Sequence, residues 1–375
     1  MPPEQGKNTG VLIRPPKSSA WIAGGESGIV PAVLEESGQF DVYLPDEEAQ
    51  AQFTPFVFDT RACVTFSGLN DIETLLNRLR AKTLLPATHD KFLLDSGIVN
   101  KQSGKVNLSD RFTAKMSGTT FDGNYLEAVG DSIRHDGVVS ELDYPFPTFT
   151  PEENMDGAKK WARYYQEIPT DIKDKARKFL DYFQVNYEWV ALGTSNPAKL
   201  REELKKGPIQ IAAAICSPWN SNDGMPPIAA CGCGTEHATM IYGYRTDDLA
   251  FKDFDHYKSF RKLLAADYCI QWGMRYVLTV KDLTQPAPFK YTFKINLRFG
   301  AGATAEVKNL QRALQTLKRA DGTPYMKIGV FGPFGPQTKT ALGLFQTDNG
   351  ITDPDGQGTN FGPQTRAKMN AKLNA

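Results

Sequence analysis

At Gly207 the hydrophobic pattern of this chain changes period, and that change limits the folds open to it. Before it, apolar residues recur at steps of three and four. From Cys63 to Ala81, the residues Phe66, Leu69, Ile72, Leu76 and Leu79 fall on one stripe, which predicts an amphipathic helix. Further helical runs are predicted around Gly123 to His135 and from Lys159 to Tyr187. After Gly207 the apolar runs are short and β-branched. Pro208 to Ile215, Ala238 to Tyr242 and Met274 to Val280 are separated by turn residues and read as strands. Helices first and strands later, within one body, predict an α+β fold rather than alternating βαβ units.

At 375 residues the chain exceeds the roughly 250–300 at which a single core stops growing, so more than one domain is expected. Residues 1–50, rich in Pro, Gly, Ser and Glu, read as an arm lying on the main body. Residues 51–284 form that body. Gln285 to Pro288 opens a linker, 285–302, in which Tyr291 to Phe299 alternates apolar and polar as a half-buried strand would. Residues 303–375 read as a compact helical unit. Val307, Leu310, Leu314 and Leu317 make one helical face, and further helices run from Pro336 to Phe345 and from Pro363 to Leu373. The last two begin with the same string, Gly335-Pro-Gln-Thr338 and Gly362-Pro-Gln-Thr365, a short internal duplication with Pro where a helix tolerates it best.

Composition excludes several functions. The 43 basic and 43 acidic residues cancel, and no basic tract suggests a nucleic-acid partner. No stretch approaches the roughly 18 apolar residues of a membrane span, so no membrane insertion is expected. The first residues, Met1 to Pro16, lack the apolar core of a secretory signal. Five cysteines (Cys63, Cys216, Cys231, Cys233 and Cys269) are too few for a disulfide scaffold, and their odd number leaves at least one unpaired within the chain.

Three residues stand out as chemistry. Cys63 opens the Cys63–Ala81 helix, where the positive end of the dipole favours a nucleophilic thiolate; the alternative is an inert buried cysteine. His237 begins a strand after a Gly/Pro-rich loop, a position suited to a general base; a strand-end His bonding a loop carbonyl is the plainer reading. Asp255, on the next strand-like piece, suits the partner that orients the second imidazole nitrogen. The other histidines, His89, His135 and His256, have no comparable partner set. Cys231-Gly-Cys233 lacks the second Cys pair of a zinc site, and Asp353-Pro-Asp-Gly356 lacks the ligand pattern of a calcium loop. No metal and no cofactor is expected.

The order of these residues, with the motifs between them, resembles a papain-like cysteine peptidase over about residues 50–282. Asp59-Thr-Arg-Ala-Cys-Val-Thr-Phe-Ser67 is similar to the family's nucleophile loop and helix start. Leu108-Ser-Asp-Arg-Phe112, Asp122-Gly-Asn-Tyr125, Gly137 to Phe146, Lys206 to Ile211 and Cys231 to Tyr244 are similar to its later landmarks, in its order. The resemblance implies two lobes, one helical and one an antiparallel β lobe. It implies Cys63 as nucleophile, His237 as base and Asp255 where the family has Asn. Tyr257 stands in place of a shielding Trp. Gly123, Asn124, Glu236 and Tyr257 are the implied substrate-binding residues. Val57 and Phe58 occupy the usual place of the oxyanion Gln, so a glutamine farther upstream, Gln52 in preference to Gln50, is the implied donor. No propeptide of the family's usual length is recognised before Cys63.

Residues 303–375 resemble the three-helix peptidoglycan-binding module of wall-lytic enzymes. The resemblance rests on Val307 to Leu314, Gly329 to Gly332, Gly335 to Leu342, Phe345-Gln346 and Gly350-Ile351. Phe331, Phe334, Gln337 and Thr338 are its implied ligand residues. Together the two resemblances imply a cysteine endopeptidase targeted to bacterial cell wall, acting on a wall-associated protein or a peptide of peptidoglycan. It would work extracellularly or at the wall, released by lysis or carried on a phage particle. The alternatives are an amidase or NlpC-type wall peptidase, whose domains are usually shorter and lack the Leu-Ser and Tyr-Pro landmarks, and a noncatalytic wall-binding or virion component. An L,D-transpeptidase is disfavoured because its Ser-x-Gly-Cys signature is absent.

Overall fold

The stripe of the Cys63–Ala81 run becomes a helix of those bounds, with Leu69, Ile72 and Leu76 buried and Arg78 and Arg80 in the last turn, where the dipole favours cations. The computed structural model describes residues 10–12, 34–53, 57–192, 197–217, 219, 225–232, 236–257, 259–270, 272–281, 283, 289–326 and 332–374. The chain divides into two units, Met1–Lys281 and Asp282–Ala375.

In the first unit the Cys63–Ala81 helix packs on helices Asp110–Met116 and Leu126–Asp136 and against one antiparallel sheet. The sheet has six strands in the order Phe183–Ala191, Trp272–Val280, Ile209–Ala213, His237–Tyr244, Phe251–Phe254 and Arg261–Leu264. The two-residue period of a strand decides which side chains meet the helix. Ile209, Ile211 and Ala213 join a cluster with Ile241 and Leu264, whereas Ala212 joins the cluster around the helix. Gln210 reaches the helix by donating from Nε2 to the Val64 carbonyl at 2.7 Å and to Ser67 Oγ at 2.8 Å. A buried Arg275 ties three elements together. It faces Glu188 across the strand pair, with Nη2 2.5 Å from Glu188 Oε1, and lies 3.0 Å from Glu203 Oε2 of the Pro197–Leu204 helix. This is the α+β architecture expected, a helical part and an antiparallel sheet. Phe40, Tyr43 and Leu44 of the amino-terminal segment are buried with Met240, Tyr242 and Phe254.

Two predicted elements differ. The run from Lys159 to Tyr187 is not one helix: Gly157–Tyr164 and Thr170–Tyr182 are separate, broken before Pro169, and Phe183–Ala191 is an edge strand. A residue before proline avoids the helical region, which accounts for the break. Phe183, Val185, Tyr187 and Trp189 recur at every second position, a strand signal masked by the charged residues around it.

The second unit has helices Ala305–Thr316, Pro336–Asp348 and Pro363–Leu373, plus a small β pair, Leu297–Arg298 with Asn360–Phe361. Leu310, Leu314, Leu342, Phe345 and Met369 form its core with Phe293 and Leu297. The predicted strand Tyr291 to Phe299 is therefore reduced to two residues, and part of the predicted linker belongs to this core. Alternation alone does not make a strand without a neighbouring backbone. Here the Asn370 side chain takes that role, accepting from Phe293 N at 2.8 Å and donating to Phe293 O at 3.0 Å. Among the described residues no helix is long and apolar enough to cross a membrane.

Candidate active site

The loop ahead of Cys63 is held by its own side chains. Asp59 Oδ1 accepts from Arg61 N at 2.8 Å, and Tyr165 donates to the Thr60 carbonyl at 2.6 Å. Arg61 has φ 56, a left-handed conformation costing roughly 1–2 kcal/mol in an ordinary side chain, which these bonds enforce. The chain then enters the helix at Ala62, which gives no side-chain cap, and no acidic residue lies in the first turn. Thr65 and Phe66 N–H donate to the Ala62 carbonyl at 2.8 and 3.0 Å, and the positive end of the dipole is left for Cys63, the first helical residue. Cys63 is buried and is the one free cysteine among the described residues.

Strand pairing brings His237 to this point. It is the first residue of its strand, in register with Ala213, and its ring hydrogen-bonds the Cys63 thiol. Its Nε2 lies 2.6 Å from Asp255 Oδ1, which leaves Nδ1 for the sulfur. Burial works against charge on this imidazole. The Asp255 charge and hydrogen bond, together with Cys63, outweigh it and raise the pKa from 6.5 to about 10.

Asp255 is fully buried, accepts three hydrogen bonds and makes one ion pair. Oδ1 takes His237 Nε2 and the His256 backbone N–H (2.7 Å); Oδ2 takes Trp219 Nε1 (2.8 Å) and Lys262 Nζ (2.7 Å). Burial raises its pKa, but Lys262 and then His237 hold the carboxyl far below the usual range. Around the pair, the Trp219 ring meets His237 edge-on at 6.0 Å and the Tyr257 ring lies 5.1 Å away. The shielding expected of Tyr257 alone is shared with Trp219, whose loop is closed by a Cys216–Cys231 disulfide. Cys269 is also disulfide-bonded. Trp219 and Lys262 escaped sequence reasoning. Only the register of Asp253 with Lys262, two positions from Asp255, hints at the latter.

Other expected residues are placed differently. The predicted oxyanion donor, Gln52, pairs in register with Phe58 and lines a separate cavity of about 250 Å³ with Glu48, Asp110, Glu141 and Tyr164. The glutamine at the site is Gln50, one position before that short strand. Its Nε2 donates to Asp59 Oδ1 at 3.0 Å and Tyr257 Oη at 2.8 Å. Asn124 turns its amide inward, to Ser117 and Thr119, so its side chain is not offered to a ligand. Its backbone N–H donates to the Gly10 carbonyl at 2.8 Å, and Val11-Leu12 runs parallel to Asn124-Tyr125. Gly123, at φ 100, is packed so closely that a Cβ there would lie 2.0 Å from Gly10 O. The backbone implied as substrate-binding therefore already holds an extended segment of this chain, and Val11 is buried in the same cluster as Cys63. Glu236 accepts from Ile215 N at 3.1 Å and fastens the strand end before His237. A cavity of about 480 Å³, lined by Val57, Arg61, Phe121 and Trp161 among others, opens beside the nucleophile loop.

In the second unit Phe331 lies outside the described residues. Phe334 is core, because its aromatic ring completes the helix-packed interior. Thr338 is buried and accepts from Gln311 Nε2 at 3.0 Å; Thr365, its counterpart in the duplicated string, accepts from Gln346 Nε2 at 3.1 Å. The repeated threonines thus join successive helices. Gln337 is exposed. A cavity of about 340 Å³ that the sequence did not reveal is lined by Gln346, Ile351, Asp353, Asn360 and Thr365 among others. Among the described residues no three His, Cys, Asp or Glu side chains are grouped so as to hold a metal ion.

Residues 303–369 match the family model of a peptidoglycan binding domain. No curated protein matches the sequence. Among solved structures, the chain is similar to digestive procathepsin L 3 of Tenebrio molitor larval midgut, at 12% identity and TM-score 0.43, over 72% of this chain and 76% of that one. It is also similar to proCathepsin B S9 from Trypanosoma congolense, at 13% identity and TM-score 0.42, over 73% and 87%. Xylellain, a cysteine protease from Xylella fastidiosa, is similar at 15% identity and TM-score 0.41, over 75% and 100%.

Proposed function

We propose that this chain is a cysteine endopeptidase of the Cys-His-Asp type, brought to bacterial cell wall by its carboxy-terminal unit. The observation that carries the reading is the meeting of Cys63, His237 and Asp255, from a helix start, a strand start and a strand end far apart in sequence. A thiol bonded to an imidazole that holds its proton to about pH 10 suits a resting thiolate–imidazolium pair. In the reaction the Cys63 sulfur attacks a peptide carbonyl, and the first-turn amides stabilise the developing oxyanion. His237 gives its proton to the leaving amine, and water, deprotonated by the same ring, releases the acyl-enzyme. The Val11–Leu12 strand held beside Asn124-Tyr125 supports a polypeptide substrate, since that groove already binds an extended backbone.

The wall-binding part rests on the match of residues 303–369. The test incubates intact protein, a Met1–Lys281 fragment and Cys63→Ala with a soluble protein and with protein-free sacculi. New amino groups should appear with the intact protein and not with Cys63→Ala, and the intact protein and Cys63→Ala, but not the Met1–Lys281 fragment, should sediment with sacculi. Appearance on sacculi alone would replace the endopeptidase by a peptidoglycan peptidase. Appearance in neither, with sedimentation kept, would leave a noncatalytic wall binder.

A further inference from the structure

Asp255 carries a demand that a simple orienting residue does not. Both of its oxygens accept two donors, and Oδ2 faces nothing but donors, the indole N–H of Trp219 and the ammonium of Lys262. An asparagine here would have to turn its NH₂ either toward these two or toward His237 and the His256 amide, and each choice sets donor against donor. Lys262 is itself buried, 1% exposed, and is held in place by donating to the carbonyls of Tyr257 (2.8 Å) and Ser259 and by lying 5.8 Å from the Trp219 ring centre. A lysine that donates to two carbonyls inside the protein and pairs its charge at 2.7 Å with the carboxylate behind the imidazole is placed too definitely to be a solvating surface charge.

We propose that Lys262 is a positioning residue of the catalytic site, which acts through Asp255 to fix that carboxylate's orientation and to limit the charge it imposes on His237. The inference rests on the peptidase reading for its catalytic consequence. The electrostatic link itself does not depend on turnover. Coulomb's law gives the direction. Asp255 favours the imidazolium, and the Lys262 charge, on the far side of the same carboxylate, opposes it. Without Lys262 the imidazolium becomes too stable to give up its proton readily to a leaving amine, and the carboxylate loses one of the donors that aims it.

The other charged or titratable groups facing this pair are Cys63 from the helix, Asp253 and His256 from the strand and its end, Tyr257, and Asp59 reached through Tyr257. They are common to every variant below. Comparisons among the variants therefore isolate Lys262.

The experiment titrates the His237 ring by NMR and measures kcat/KM against pH for the full-length chain and for Lys262→Met, Asp255→Asn and the double variant. Lys262→Met should move the His237 titration and the alkaline limb upward by at least about one pH unit. One charge removed from roughly 6–7 Å at an effective dielectric constant of about 20 is worth nearly two pH units, so about one is the lower bound. It should also lower kcat at least about tenfold, within the roughly 10²–10⁴-fold worth of a positioned acid–base group. An unchanged titration in a folded Lys262→Met protein would overturn the proposal.

If Lys262→Met does not fold because it buries an unpaired carboxylate, the double variant buries no unpaired charge and is compared with Asp255→Asn alone. His237 should then titrate about one pH unit higher in the double variant, and equality would overturn the proposal. The NMR arm needs no substrate. A protein inactive toward peptides but shifted in titration would fail the peptidase reading while retaining the Lys262 link.

Discussion

Both amide hydrogens of Gln50 are spent on Asp59 and Tyr257, and Asp59 in turn holds the Arg61 amide two residues before the nucleophile. Removing that side chain unsettles the loop that delivers Cys63 and frees Tyr257 from one partner. Gln50→Ala should therefore lower kcat by roughly tenfold or more, up to the roughly 10²-fold that a misplaced catalytic group can cost. Gln52→Ala, in its separate cavity, should stay within about twofold. Peptide turnover by the two variants decides the matter, and the reverse ranking would reinstate Gln52. Cys63, His237 and Asp255 were legible as candidates because each sits where an element begins or ends, with its neighbours in a recognisable order. Gln50 was not, because a shift from a bend into a two-residue strand leaves no mark in spacing. Trp219 and Lys262 were not legible either. They meet at Asp255 only after a disulfide-closed loop and an edge strand fold over it.

At the scale of elements, the periodic helices were readable to within a few residues, and Cys63–Ala81 was read at both ends. The strand Phe183–Ala191 was lost to a helical reading because its outward positions are polar and it follows a charged helix directly. That strand is joined to the sheet partly by Arg275, whose guanidinium is buried against Glu188 and Glu203. Breaking such a group by removing one partner costs about 3–5 kcal/mol, here because Glu188 stays buried and uncompensated while Glu203 keeps Lys206 at 3.0 Å. Arg275→Met should lower unfolding free energy by about that amount in urea denaturation. A loss below about 1 kcal/mol would mean that the sheet edge is held by packing alone. The duplicated Gly-Pro-Gln-Thr string was readable as two helix starts. Thr338, expected as a ligand residue, is bonded to Gln311, and its counterpart Thr365 to Gln346, partners on the preceding helices that lie beyond local pattern.

At the scale of the whole molecule, charge burial sets a pH dependence that the balanced composition hides. Burial is the main reason that Glu48, Glu73, Asp110 and Glu141 hold protons above the usual carboxylate range, Glu141 to about 8, with mutual repulsion adding to it. An acid whose pKa is raised by folding favours the native state while protonated. Its contribution is complete below about 4.5, its ordinary value, and is lost as pH climbs through about 8. His237, raised to about 10, adds stability that is present below about 6.5 and is likewise lost on the alkaline side. Asp255, depressed, gives stability that is constant across this range. Thermal denaturation should therefore show a higher midpoint at pH 5.5 than at pH 8.5, and Glu141→Gln should narrow the difference. A midpoint that rises with pH would contradict the assignment of protons to these acids. The account as a whole turns on a reactive thiolate made by its histidine. Its most direct measurement is labelling of the intact protein by a peptidyl thiol-reactive probe, with the modified residue located by mass spectrometry. The account predicts one label, on Cys63, that is lost in His237→Ala; no label on Cys63, or equal labelling in His237→Ala, would contradict it.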